Sequence, residues 1–227
     1  MVAPSKKIRV DQLLVKKGLV VSRHQAQSLI MLGKVSSPKG VVMKAGQLVH
    51  EHEELTISEA LKYVSRGGLK LEHALDEFEI DPSGLVCLDV GASTGGFTDC
   101  LLQRGAKKVY AVDVGYGQFD WKLRNDPRIV LVERSNFRYI DADKIPEPVG
   151  LVAVDVSFIS LTKILPKISK FLIKGKGVVR SKTLREKAVQ KIEKSAQEFG
   201  YKVLGRTTSP ILGAKGNEEF FLLLSLK

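Results

Sequence analysis

The 227-residue sequence predicts an α/β protein, an open sheet with a ligand crevice at its carboxyl edge, preceded by a small α+β module. Three observations predict it. The run Cys87-Leu88-Asp89-Val90-Gly91-Ala92-Ser93-Thr94-Gly95-Gly96-Phe97-Thr98 leads from an apolar strand through an acidic residue and a small-residue turn into an apolar helix. Val109-Tyr110-Ala111-Val112-Asp113 then ends a second strand in a carboxylate. Ahead of both, residues 7–57 carry a helix-and-strand pattern of their own.

Composition sets the outer bounds. A 44% hydrophobic content is ordinary for a globular chain and allows a core without disulfides. Cys87 and Cys100 read as buried thiols rather than a bridge. The sequence shows neither a basic leader with an apolar run nor a long apolar span, which predicts a reduced, cytoplasmic protein. The net charge of +11 favours a polyanion as partner. It is concentrated: residues 163–194 hold eleven Lys or Arg against Glu186 and Glu193. A solvated helix face usually mixes signs, so phosphate contacts explain this stretch better.

In chain order, Val10, Leu13, Leu14 and Leu19 fit a short helix stopped by Gly18. Ser22 opens a second helix, with Gln25 completing a capping box and Ala26, Leu29 and Ile30 forming its apolar stripe. Gly33 ends it, and two short strands follow near residues 40–43 and 48–57. Arg9, Lys16, Lys17, Arg23 and Lys34 sit on or beside the helices, while Glu51, Glu53 and Glu54 gather at the far end. Such separation suggests a face for phosphates. Residues 59–65 lack Pro and Gly, so a helical linker is possible. After Arg66-Gly67-Gly68 comes a helix with Leu71, Ala74, Leu75 and Phe78 as its stripe. Lys70 in its first turn opposes the macrodipole, an inconsistency of the kind found at functional sites.

The glycine turn after the strand at 85–90 lets backbone approach a ligand, and the helix that follows offers unpaired N–H groups. Its spacing departs from the dinucleotide fingerprint, which points to S-adenosylmethionine rather than NAD. Asp89 and the backbone of Gly91, Ser93, Gly95, Gly96 and Phe97 are expected at the methionine end of that donor. Asp113 is expected on its ribose, and Asn136, after a third strand at 129–133, on adenine or in a cap. Leu151 to Val154 form a further strand ending at Asp155. Trp121 reads as core rather than a stacking platform. The four histidines form no ligand pattern, so no metal is expected.

These motifs carry a family resemblance. Lys7-Ile8-Arg9-Val10-Asp11-Gln12-Leu13-Leu14-Val15, Gly18-Leu19-Val20-Val21-Ser22-Arg23 and Gly33-Lys34-Val35 resemble the small RNA-binding domain first known from ribosomal protein S-four. Tyr63-Val64-Ser65-Arg66-Gly67-Gly68-Leu69-Lys70-Leu71 and the glycine turn are followed by Val114-Gly115-Tyr116-Gly117-Gln118. Then come Asp155-Val156-Ser157-Phe158-Ile159-Ser160-Leu161 and Lys215-Gly216-Asn217-Glu218-Glu219-Phe220. In that order the chain resembles the TlyA family, known both as haemolysins and as ribosomal RNA 2′-O-methyltransferases. The resemblance implies an RNA-binding domain at 1–58, a linker at 59–66 and an FtsJ-type domain at 67–227. That domain would have a Rossmann-like, mostly parallel seven-stranded sheet. It also implies S-adenosylmethionine as methyl donor, a ribosomal RNA cytidine 2′-hydroxyl as acceptor, and Arg9, Lys16, Arg23, Lys34 and Arg66 as RNA contacts.

The family uses a Lys-Asp-Lys-Glu set, which maps here onto Lys70, Asp155 and Glu219 for three of its members. The second lysine has two accounts. Residues 177–181 are a short strand ending at Lys182, or they match a later loop and some twenty residues are missing between Lys174 and Gly177. The second account leaves a non-catalytic RNA-binding protein as the alternative. A membrane-active haemolysin finds support only in the basic amphipathic stretch 183–199.

Overall fold

In the computed structural model the described residues are 7–31, 33–42, 44–58, 62–156, 159–181, 186–211 and 218–226. Lys182 and the motif residues Ser157, Phe158, Lys215, Gly216 and Asn217 lie outside them. The chain divides into two compact units, Met1–Arg66 and Gly67–Lys227.

In the first unit β1 (Lys7–Arg9) runs into α1 (Val10–Lys16), and α2 (Arg23–Met31) follows. Ser22 Oγ accepts the Gln25 N–H at 3.2 Å, and Gln25 Oε1 accepts the N–H of Val21, one residue ahead of the cap, at 3.0 Å; this variant of the expected capping box fixes where α2 begins. The strands after Gly33 are four rather than two: β2 (Val35–Ser37), β3 (Gly40–Val41), β4 (Leu48–His50) and β5 (Thr56–Ile57). They form a three-stranded sheet in the order β3-β2-β5, while β4 pairs antiparallel with β1. Val10, Leu13, Leu14, Ala26, Ile30 and Val35 make the core. Leu19 stays outside it, 40% exposed beyond the end of α1. Residues 62–65 are bends, so among the described residues the linker is not helical.

Helix α3 (Arg66–Glu77) leads from the first unit into the second, which alternates strand with helix: β6 (Val86–Val90), α4 (Gly96–Gln103), β7 (Lys108–Val112), α5 (Trp121–Arg124) and β8 (Ile129–Val132). Then come β9 (Val149–Val154), α6 (Leu165–Ile168), β10 (Leu172–Ser181), α7 (Glu186–Glu198), β11 (Tyr201–Thr208) and β12 (Phe220–Leu226). The seven strands lie in the order β11-β12-β10-β9-β6-β7-β8. The run β10-β9-β6-β7-β8 is parallel throughout, and β12 alone is reversed, antiparallel to β10 and β11. The central strands are continuous apolar runs because helices cover both faces of a parallel sheet. Leu88, Val90, Val112, Val152, Val154 and Leu222 are at most 1% exposed.

Strand order reverses at β6, which pairs with β7 on one side and β9 on the other. A crevice at the carboxyl ends of the strands opens at such a switch point. Strand β10 reaches its partner irregularly: Leu172 pairs with Val149, but Lys176 pairs with Leu151. From there it runs in register to Val179 opposite Val154.

Candidate active site

A cavity of about 600 Å³ opens at the carboxyl ends of β6, β7 and β9, within the size range of small-molecule sites. Of the residues expected at a donor site, Gly91, Ser93, Asp113 and Asn136 line it, and so does Asp155, expected in the catalytic set. Gln118 and Lys163 add polar groups, and Val112, Ile159 and Ile164 supply apolar wall.

The turn after β6 owes its shape to glycine. Gly91 has φ +89°, and a Cβ there would lie 2.3 Å from the Asp155 carbonyl oxygen. The Asp155 N–H donates to the Val90 carbonyl at 2.9 Å, so the ends of β6 and β9 are held together with room only for hydrogen. Ser93 also takes a positive φ of 51° and directs its N–H to Asp113 Oδ2 at 2.8 Å. Asp113 Oδ1 accepts the Gly115 N–H at 2.6 Å and the Gln118 amide at 3.2 Å. A carboxylate has about four acceptor positions, so this cradle uses three and leaves capacity for a ligand hydroxyl.

Asp89 is placed differently from the expectation. It is fully buried and does not line the cavity; its Oδ2 accepts Thr98 Oγ1–H from α4 at 2.7 Å. Strand alternation is the reason: Val90 and Asp89 leave the strand on opposite faces. Burial pushes the Asp89 carboxyl up to about 7, the Thr98 hydrogen bond opposes this, and the neighbouring carboxylate of Asp155 adds to it. Its Oδ1 has no hydrogen-bond partner among the described residues. Gly95, Gly96 and Phe97 likewise stand away from the cavity wall. A Cβ on Gly95 would meet Leu123 Cδ1 at 2.7 Å, and Phe97 is 5% exposed in the core. Asn136 caps the short turn Phe137–Tyr139 by accepting the Arg138 N–H at 3.1 Å, and it lines the cavity as well.

The carboxyl edge also carries an ion pair. Lys70 Nζ, on α3, lies 2.7 Å from Glu219 Oε2, with side-chain exposures of 11% and 2%. Glu219 precedes β12, whose first residue Phe220 pairs with Ser181 at the end of β10. It therefore belongs to the same edge as Asp155, which follows β9. Glu218 beside it is exposed.

In the first unit Arg9 and Arg23 are both hydrogen-bonded to Asp11. The two signs are less separated than the sequence suggests: Lys16 pairs with Glu51, because β4 returns beside β1 directly ahead of α1. Lys34 and Arg66 are half-buried. Trp121, expected in the core, is 69% exposed at the start of the four-residue α5. Sequence reasoning missed Asp11, Thr98 and Gln118 as structural partners of site residues, although each stood in a quoted motif.

With this geometry in place, residues 63–226 match the FtsJ-like methyltransferase family and residues 8–55 match the S4 domain. The chain belongs to the FtsJ-like methyltransferase family and carries an S4 domain ahead of it. It is 41% identical to the 16S/23S rRNA (cytidine-2′-O)-methyltransferase TlyA of Mycobacterium tuberculosis, over 97% of this chain and 90% of that protein. It is 40% identical to Hemolysin A of Brachyspira hyodysenteriae, over 94% of this chain and 98% of that one. A solved structure of a hemolysin-named protein from Streptococcus thermophilus shares 40% identity and a TM-score of 0.71, covering 99% of this chain and 90% of its own. The match to the Mycobacterium tuberculosis protein spans 242 positions, while 97% of 227 residues is about 220, so about 22 aligned positions have no residue of this chain opposite them.

Proposed function

We propose that the chain transfers methyl from S-adenosylmethionine to a ribose 2′-hydroxyl of ribosomal RNA, the N-terminal unit supplying RNA affinity. The observation that carries this reading is the buried Lys70–Glu219 pair on the sheet edge that also holds Asp155 and the cavity. The cavity suits a nucleoside. Asp113 has acceptor capacity for a ribose hydroxyl, Asn136 offers an amide, and apolar side chains form the wall. S-Adenosylmethionine bound there would supply an electrophilic methyl group on a sulfonium. The protein's own part is to hold the acceptor in line and to manage the hydroxyl proton. Lys70 is the candidate base, accepting the hydroxyl proton as a neutral amine and becoming an ammonium that Glu219, 2.7 Å away, stabilises, and Asp155 places a carboxylate beside the donor. Arg9, Lys16, Arg23, Lys34 and Arg66 would contact RNA. Among the described residues no group of His, Cys, Asp or Glu could hold a metal ion, and no helix is long and apolar enough to cross a membrane.

One observation favours a second reading, an RNA-binding protein without turnover. About 22 positions of the Mycobacterium tuberculosis relative have no counterpart here. Calorimetry with S-adenosylmethionine, followed by transfer of labelled methyl to ribosomal RNA, separates the two. Binding with transfer supports the enzyme; binding without transfer supports the second reading, and no binding removes the donor assignment.

A further inference from the structure

Arg9-Val10-Asp11 straddles the start of α1, and in it the acidic residue is the one shielded from solvent. Asp11 is 0% exposed although Asp is almost never fully buried without partners. Its partners come from strand β1 and helix α2. Arg9 Nε donates to Oδ1 at 3.0 Å and Arg9 Nη2 to Oδ2 at 2.9 Å, a bidentate pair. Arg23 Nη2 and Gln27 Nε2, one turn apart on α2, donate to Oδ2 at 3.1 and 3.0 Å. The Arg9 guanidinium holds the Asp11 carboxyl well below the usual carboxylate range, against the effect of burial. The arginines themselves stay open: their side chains are 41% and 53% exposed. Gly46 leaves space on the other side of Arg9, where a Cβ would come within 3.1 Å of Nη1.

Two half-exposed guanidinium groups fixed on one hidden carboxylate form a rigid fork of N–H donors with a net charge of +1. Guanidinium suits phosphate because its donors match the oxygens in pairs. A free arginine side chain loses rotamer freedom when immobilised, and here part of that loss is already taken in folding.

We propose that Asp11 is a positioning residue for RNA: it touches no phosphate, yet it holds Arg9 and Arg23 in the geometry that does. This rests on the reading of the N-terminal unit as an RNA binder. It makes a prediction opposite in sign to simple electrostatics. Asp11→Asn removes a negative charge, so a pure field effect would tighten RNA binding. Loss of the fork weakens it instead.

The test is fluorescence anisotropy of a labelled RNA stem–loop with the full chain across a potassium chloride series. For Asp11→Asn the affinity is expected to fall about tenfold and the slope of log K against log salt to become shallower by about one, the amount carried by one phosphate contact. Equal or tighter binding at an unchanged slope overturns the proposal. The double variant Arg9→Lys/Arg23→Lys keeps every charge but loses the fork, so it decides the matter if Asp11→Asn unfolds. Unchanged binding by that variant also overturns the proposal. Absence of binding by the parent at low salt removes the RNA-binding reading itself, and the proposal with it. S-Adenosylmethionine binding, measured in parallel, is expected to be the same in all three proteins.

Discussion

Lys70 and Glu219 stand 149 residues apart in sequence and 2.7 Å apart in the fold, nearly closed off from solvent. Such a pair is a weak source of stability but leaves an uncompensated charge if one member is removed. Glu219→Gln and Lys70→Met are each expected to lower the melting temperature, and the double variant to recover much of the loss. Each single change is also expected to reduce methyl transfer by about 100-fold or more, the usual range for an acid–base group. If either single variant methylates RNA at the parental rate, Lys70 is not the base.

Asp113 organises the cavity rim, gathering N–H groups from Ser93 and Gly115 on one carboxylate. Asp113→Ala is expected to weaken S-adenosylmethionine binding at least tenfold, because two backbone donors and a ribose hydroxyl lose their acceptor together. Calorimetry checks this directly; parental affinity would place the ribose elsewhere.

Asp89 makes stability fall with pH. Its carboxyl titrates near 3.8 when unfolded and about 7 when folded, so between those values the native state binds more protons. Its neutral form is favoured fully below the lower value, and that advantage is lost as pH rises through the upper one. Asp89→Asn, which stays neutral, is expected to gain on the parent from pH 4 to pH 8, by an amount on the order of a few kcal/mol. Thermal melts of both proteins across that range give the answer, and parallel curves would mean that Asp89 is ionised in the fold throughout.

Gly91→Ala is expected to destabilise the second unit by about 3 kcal/mol or more, since the backbone conformation and the Asp155 carbonyl both resist a Cβ. For a domain of this size that is roughly a 6–12 °C drop in melting temperature. Gly117→Ala is the control, with positive φ but no atom within 4 Å, and a smaller loss is expected there.

What was legible in the sequence was local. A carboxylate at a strand end followed by glycines announces a strand, a turn and a helix, and residues 86–96 form them. Ser22 and Gln25 announce a helix start because their bonds span only a few residues. What escaped depended on partners far along the chain or on which face of a strand a residue takes. Asp89 read as facing a ligand because strand-end position was visible and pleat was not. Trp121 read as core because a large apolar side chain usually finds cover, whereas α5 is a single turn that offers none. Arg9 and Arg23 read as RNA contacts, and their shared hold on Asp11 was hidden because Arg23 reaches it from a helix twelve residues on.

Strand β12 lies between β10 and β11 and brings Glu219 to Lys70. During synthesis, then, everything up to residue 208 can leave the ribosome with a gap between β10 and β11 near one edge of the sheet. A nascent chain on its own ribosome therefore holds Lys70 without its carboxylate partner until residues 219–226 emerge and pair.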